Sequence, residues 1–293
     1  MGVAEDFQAF RRQYLIPDDV AGKISYRYRR ITSQLNIDFW GYDSETAHSI
    51  YSGSYGRDTA ARGLSDLDVV FQLPSALFEQ FNSYVTNGQS ALLQTVKRSI
   101  DKTYPSSDSF GDGQVVVIRF TDGLIFEVLP AFLLTGGGYR YPNANNGGNW
   151  YECDPQAERN AINTRNANCN YNLKELCRMA RVWRDYVSAP MSGMLIDTLA
   201  YQFIETWEHR QKSFLYYDYM CRDFFGFLAR QTQSQNYWKA PGSGSYVWRK
   251  GIFENKARSA ELRCLEAIVY AGQGKEWSSR QKWREIFGTQ YPG

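Results

Sequence analysis

The sequence predicts an α+β protein of two lobes: a mixed-sheet lobe over residues 1–149 and a helical lobe over residues 150–293. Three observations carry that division. Short β-prone runs crowd the first half, at residues 47–51, 66–73, 114–120 and 124–129. From residue 154 onward, apolar residues recur at three- and four-residue spacing, the period of helices packed on one side. Between the two lies TGGGYRYPNANNGGN, residues 135–149, whose Gly and Asn content predicts a loop or a connection between lobes.

Composition bounds the function. A chain of 293 residues, 43% hydrophobic and 16% aromatic, can bury a large core and is not disordered. No apolar run is long enough for a membrane span, and the charged start MGVAEDFQAFRRQYL lacks a signal-peptide core. The expectation is a cytoplasmic protein that does not engage a membrane. The five cysteines are odd in number and dispersed, with no C-x-x-C pair, which reads as reduced thiols and not as a disulfide framework or zinc site. His48 and His209 are the only histidines, so no Ser/His or Cys/His hydrolase constellation is implied. There is no P-loop and no dinucleotide fingerprint. Residues 1–134 carry 12 Lys/Arg against 16 Asp/Glu, whereas residues 135–293 carry 21 against 15. An acidic lobe beside a basic one suits a metal on one side and a triphosphate on the other. Ordinary surface variation would give the same numbers.

In chain order, residues 4–14 read as a short helix with Phe7, Phe10 and Tyr14 on one side. Pro17 interrupts it, and Asp18 or Asp19 caps a longer spine helix to about residue 39, with Val20, Ile24, Tyr28, Ile31 and Leu35 at helical spacing. Arg27, Arg29 and Arg30 on that helix read as a solvated face, with nucleic-acid contact as the alternative. A strand over 47–51 leads to Gly53-Ser54, and a short helix is expected through residue 61. After the strand at 66–73, helices are expected at 75–84 and 90–102. Thr121-Asp122-Gly123 then joins two β-prone runs, a hairpin signal because Asp-Gly accepts positive φ. Asp154-Pro155 starts the helical lobe, and Leu173, Leu176, Ala180, Trp183 and Val187 stripe its second helix. Further helices fit 193–208, 214–230, 254–271 and 275–287, and residues 231–251 read as a loop.

The stretch IYSGSYGRDTAARGLSDLDVVFQL, residues 50–73, organises the whole. On a strand Asp66 and Asp68 share one face while Leu67 and Val69 point into the core. Two adjacent carboxylates repel unless a hard cation sits between them, and Mg²⁺ takes one or two carboxylates together with phosphate oxygens. Gly53 lets a backbone N–H approach a phosphate, and Ser54 adds a hydroxyl. On the later run Ile125, Glu127 and Leu129 share a face, so Glu127 is an acid among apolar residues that needs a partner.

Gly-Ser followed a dozen positions later by two aspartates alternating with apolar residues resembles the polymerase-β-like nucleotidyltransferases. Within that superfamily, GSYGRDTAARGLSDLDVV, IFEVLPAF and a helical second half look most like the cGAS/DncV-like nucleotidyltransferases, or CD-NTases. That resemblance implies an enzyme that joins NTPs, ATP among them, into a cyclic di- or trinucleotide second messenger. In bacteria such enzymes serve anti-phage (CBASS) defence by alerting a downstream cyclic-nucleotide-sensing effector. It implies Asp66, Asp68 and Glu127 as catalytic ligands of two Mg²⁺ ions, with Mn²⁺ as an alternative ion; Glu127 stands where relatives more often have Asp. Gly53, Ser54 and Arg57 would hold the triphosphate, met from the helical lobe by Lys174, Arg178 and Arg181. Arg181-Val182-Trp183 matches a basic residue before tryptophan in oligoadenylate synthetases. A solvated basic face is the alternative for these three. Ser192 falls where relatives place a nucleotide-contacting serine. Met194 departs from their base-stacking aromatic, and Tyr201 could serve as base platform or as core. A zinc thumb has no visible ligands, and a nucleic-acid activator is not evident. Two other functions remain open at this point: template-independent nucleotide addition to RNA or another acceptor, and an inactive nucleotide-binding scaffold.

Overall fold

Pro17 and Gly41 frame the longest helix of the sheet-bearing region, and from there the chain alternates as its sequence pattern suggests. The computed structural model describes residues 2–64 and 66–293. In order it runs α1 (Val3–Tyr14), α2 (Asp18–Trp40), β1 (Ser49–Tyr51), α3 (Gly53–Gly56), β2 (Asp66–Gln72), α4 (Ser75–Asn82) and α5 (Gly88–Thr103). Then come β3 (Asp108–Asp112), β4 (Val115–Arg119), β5 (Ile125–Leu133), β6 (Tyr139–Asn143), β7 (Asn149–Cys153), α6 (Pro155–Asn168), α7 (Asn172–Val187) and α8 (Gly193–Thr206). Last are α9 (Tyr217–Ala229), β8 (Tyr237–Lys239), β9 (Tyr246–Trp248), α10 (Glu254–Gly272) and α11 (Glu276–Phe287). No helix among the described residues is long and apolar enough to cross a membrane.

Two compact units result. The sheet unit is Pro17–Gly56 with Gly63–Ala157, and the helical unit is Met1–Ile16, Arg57–Arg62 and Glu158–Gly293. This differs from a single boundary near residue 149 in two ways. First, α1 belongs to the helical unit: Phe7 meets Trp283 edge-on with ring centroids 5.0 Å apart, and Phe10 meets Phe287 at 4.6 Å. Aromatic pairs of this kind add to the gain from area burial. Second, six residues of the Gly-Ser/Asp stretch, 57–62, are also part of the helical unit.

In the sheet unit the strands are ordered β1-β2-β5-β4-β3, with β6 pairing to the far end of β5 and β7 to β6. β2 and β5 run parallel, and the other neighbours are antiparallel, so the sheet is mixed as expected. Ile24, Tyr28, Ile31 and Leu35 of α2 and Leu92, Val96 and Ile100 of α5 pack with Leu67, Val69, Phe126 and Val128 of the two central strands. The expected hairpin through Asp122-Gly123 is present, pairing Arg119 with Ile125. In the helical unit Leu173, Leu176, Ala180 and Trp183 of α7 are buried with Leu195, Ile196 and Leu199 of α8 and Phe224 and Phe225 of α9. Burial holds the thiols of Cys177, Cys221 and Cys264 well above their ordinary pKa, in keeping with inert structural cysteines.

Three expectations are corrected. Residues 135–149 are not simply a loop: β6 and β7 form a hairpin, with Tyr141 opposite Tyr151 and Pro142 opposite Trp150. The aromatics supply strand character, and Gly147 and Gly148, at φ 90° and 96°, let the turn close. Residues 231–251 likewise contain the β8–β9 hairpin, with Trp238 and Val247 buried on one face. The helix after Ser54 ends at Gly56 and does not reach residue 61, since Asp58 sits at a left-handed φ of 56° that breaks the helical path.

Phe126 is fully buried beside Glu127. Phe126→Ala should lower stability by about 3–5 kcal/mol, read as a shift in denaturant midpoint. A loss under about 1 kcal/mol would show that this core does not set the β5 register.

Candidate active site

β1 delivers the chain to Gly53 beside β2. The Ser52 N–H donates to the Asp68 carbonyl at 2.8 Å, locking the start of the Gly-Ser turn to the strand that bears the aspartates. Gly53 has φ +57°, and a Cβ placed there would stand 1.7 Å from Asp68 Oδ2. Glycine is therefore required twice, by the backbone conformation and by the carboxylate lying against it.

The parallel ladder then sets the acids. Asp66 pairs with Ile125 and Asp68 with Glu127, so Asp68 and Glu127 are direct neighbours across β2 and β5. Adjacent strands lie about 4.8 Å apart. Asp66 follows the same face two residues back, while Leu67 and Val69 turn into the core. Asp66 is exposed; Asp68 and Glu127 are half-buried. Burial, then the charges of Asp68, Asp66 and Asp112, push the Glu127 carboxyl above its ordinary pKa. Asp112, at the end of β3, was not singled out in the sequence, because only the β3–β4 pairing brings it near Glu127.

Every donor in this cluster is a carboxylate oxygen, the set a hard dication prefers. Among the described residues no three Asp, Glu, His or Cys side chains converge closely enough to hold an ion unaided.

The basic candidates all lie in the helical unit, and each is met there by an acid. Arg57 Nε donates to Asp197 Oδ2 at 3.0 Å, and its Nη1 pairs with Glu158 Oε2 at 3.1 Å. Arg181 holds Asp197 from both guanidinium ends, at 2.6 and 3.0 Å, and also donates to the Cys177 and Gly193 carbonyls. Arg178 donates to Asp58 Oδ1 at 2.6 Å and to Glu175 Oε1 at 3.0 Å, and Lys174 Nζ reaches Asp58 Oδ2 at 3.1 Å. Arg57, Arg178 and Arg181 are buried, so they form an internal ion-pair system and not an open basic face. Burial alone would raise the pKa of Asp197, but Arg181 and Arg57 hold it at about 2. Ser192 caps α8, its Oγ accepting from the Leu195 N–H at 3.1 Å. Met194 packs on the helical core, and the Tyr201 ring lies 4.1 Å under the Arg165 guanidinium. Asp197 and Glu158, like Asp112, are not singled out by the sequence. The signal was present in GMLIDTLAYQFI, where one aspartate in an apolar helix demands a charged partner.

Comparison with known proteins places the chain in a family. The model of the Second Messenger Oligonucleotide or Dinucleotide Synthetase domain (SMODS) matches residues 1–166. No curated protein sequence matches the chain. CdnC of Escherichia coli, solved in complex with HORMA-deltaN, superposes with a TM-score of 0.75 at 15% identity, covering 99% of this chain and 98% of that one. The CD-NTase CdnG of Bradyrhizobium diazoefficiens, in complex with GTP, gives 0.66 at 14% identity over 96% and 93% of the two chains. DncV, the cyclic AMP-GMP synthase of Vibrio cholerae, in complex with the linear intermediate 5′ pppA(3′,5′)pG, gives 0.68 at 11% identity over 97% and 93%. At these identities the likeness is one of fold. With the family model spanning more than half of its length, the chain belongs to the second messenger oligonucleotide or dinucleotide synthetase family, and its fold is that of the cGAS/DncV-like nucleotidyltransferases.

Proposed function

We propose that this nucleotidyltransferase joins NTPs into a cyclic di- or trinucleotide messenger at the Asp66, Asp68 and Glu127 cluster. The observation that carries the reading is the β2/β5 register, which sets Asp68 beside Glu127 with Asp66 on the same face. Two bound Mg²⁺ ions, or Mn²⁺, would lower the pKa of an attacking ribose hydroxyl and offset charge on the departing pyrophosphate. Asp66 and Asp68 would supply the ligands. Glu127, whose proton affinity is raised by its surroundings, would also be placed to accept the proton of the ribose hydroxyl. Gly53, lacking a side chain, makes room for the Asp68 carboxylate, and the turn it forms with Ser54 would hold a phosphate oxygen by main chain and hydroxyl. Lys174 and Arg178 share the exposed carboxylate of Asp58, a partner that a phosphate can replace; Arg57 and Arg181 are committed to buried Asp197.

One site of this kind can act twice. The first transfer leaves a linear dinucleotide with a 5′-triphosphate. Turned end for end, that triphosphate returns to Gly53-Ser54, and its free ribose hydroxyl becomes the acceptor. Closure is favoured because the reacting ends are held together. The linear intermediate seen with DncV supports the same order of events here. The product would then signal to a cyclic-nucleotide-sensing effector, as in bacterial anti-phage defence.

Three outcomes test this reading. Asp66→Asn and Asp68→Asn should each reduce turnover of labelled NTPs by at least about a hundredfold, while circular dichroism stays unchanged. Near-normal turnover in either variant removes the metal assignment. The main product should keep its mass after phosphatase treatment, because a ring has no terminal phosphate. A phosphatase-sensitive species or a ladder of lengths would instead indicate nucleotide addition to an open acceptor. Glu127→Gln tests the electrostatics. In the folded protein Glu127 holds its proton to higher pH than in the unfolded chain, so its contribution to stability falls as pH rises from the ordinary Glu range, about 4.3, through the raised value. In chelator, Glu127→Gln should therefore melt above wild type at pH 7–8, and the gap should close at about pH 4. A gap that stays constant with pH would contradict the raised pKa.

A further inference from the structure

Two charges that the proposed reaction does not use, Asp197 and Glu158, anchor the connection between Gly53-Ser54 and the aspartates. We propose that Asp197 is a positioning residue: it clamps the segment Arg57–Arg62, and thereby fixes the main chain that leads out of the Gly-Ser turn and toward Asp66. The inference rests on the nucleotidyl-transfer reading of Asp66, Asp68 and Glu127.

Asp197 is fully buried in α8, with Leu195, Ile196 and Leu199 also fully buried beside it. Its Oδ2 accepts from three donors: Arg57 Nε at 3.0 Å, Thr59 Oγ1 at 2.9 Å and Arg181 Nη2 at 3.0 Å. Its Oδ1 accepts from Arg181 Nη1 at 2.6 Å. Arg181 is thus the fixed side of the pair, and Arg57 and Thr59 are the two points at which the segment is gripped. The rest of the segment has further contacts. Glu158 takes the other end of Arg57 and is itself bound by Ser243 Oγ at 3.0 Å. Lys174 and Arg178 hold the Asp58 carboxylate, and Arg178 also donates to the Asp58 carbonyl at 2.8 Å. Ala60 and Ala61 are buried, and the Arg62 N–H donates to the Tyr14 carbonyl at 2.7 Å.

A buried ion pair is a poor choice for stability alone, because desolvation offsets much of its attraction. What it adds is direction: a carboxylate gripped by a two-ended guanidinium has one orientation, and donors on its remaining lone pairs inherit it. Arg57 lies three residues after Ser54. Slack at Arg57 or Thr59 would pass along the main chain to the turn, and a misplacement of about 1 Å can cost about a hundredfold in rate.

Asp197→Asn leaves buried Arg181 with no full counter-charge and Arg57 with Glu158 alone, and is a poor probe, since it threatens the fold. Thr59→Val is nearly isosteric and removes the hydroxyl donated to Asp197; Thr59→Ser keeps it. Full-length wild type and both variants would be assayed for kcat and KM with NTPs and Mg²⁺, and for hydrogen exchange of the amides of residues 57–62. Thr59→Val should lower kcat about tenfold, leave KM within about twofold, and exchange these amides about tenfold faster, whereas Thr59→Ser should stay within about twofold of wild type in all three. Wild-type kcat in folded Thr59→Val, an equal loss in Thr59→Ser, or a change in KM alone would overturn the clamp. If wild type makes no product at all, the nucleotidyl-transfer reading is what fails. Exchange still decides the clamp in that case, and unchanged protection in Thr59→Val overturns it.

Discussion

Like charges held side by side are the constraint on which the site depends. The parallel ladder of β2 and β5 forces Asp68 and Glu127 into register, and Asp66 onto the same face, although the carboxylates repel. Apolar burial on the other face offsets that repulsion. Leu67, Val69 and Phe71 of β2 and Phe126 and Val128 of β5 lie in the core, and a one-residue slip would turn them all to the opposite side. The sheet thus stabilises an arrangement that, without a cation, is electrostatically unfavourable.

The helical unit solves a different electrostatic problem. Asp197 would be costly at its buried position if unpaired, and Arg181 and Arg57 hold it ionised. The basic residues of α7 therefore do not form one uniform phosphate-binding face. Arg181 serves the interior, whereas Lys174 and Arg178 share the exposed Asp58. An exposed acid and a buried one thus draw on the same helix, one turn apart.

Much of this was legible because it obeys local periodicity. The two-residue repeat of Asp66-Leu67-Asp68-Val69 places acids and core on opposite faces, and Asp122-Gly123 closes its hairpin as its turn chemistry requires. Ile125, Glu127 and Leu129 show their shared face for the same reason. What was not legible depends on partners distant in sequence. Phe7 and Phe10 show a helical stripe, but nothing local says that the stripe meets Trp283 and Phe287. Arg57 and Arg181 look alike to any composition argument, and only Asp197, far along the chain, shows that both are engaged. The β6–β7 hairpin was hidden by its turn: Gly147, Gly148 and the flanking asparagines outweigh Tyr139, Tyr141, Trp150 and Tyr151 when read as composition.

The central claim is that the three carboxylates form a cation site completed by a nucleotide. Thermal melting with Mg²⁺, with a non-hydrolysable NTP analogue, and with both together tests it most directly, because a ligand that binds only the folded state raises its melting temperature. The account predicts a larger rise with both than the sum of the separate rises in wild type, and no such excess when Asp66 and Asp68 are both changed to Asn. The same excess in wild type and in the double variant would contradict it.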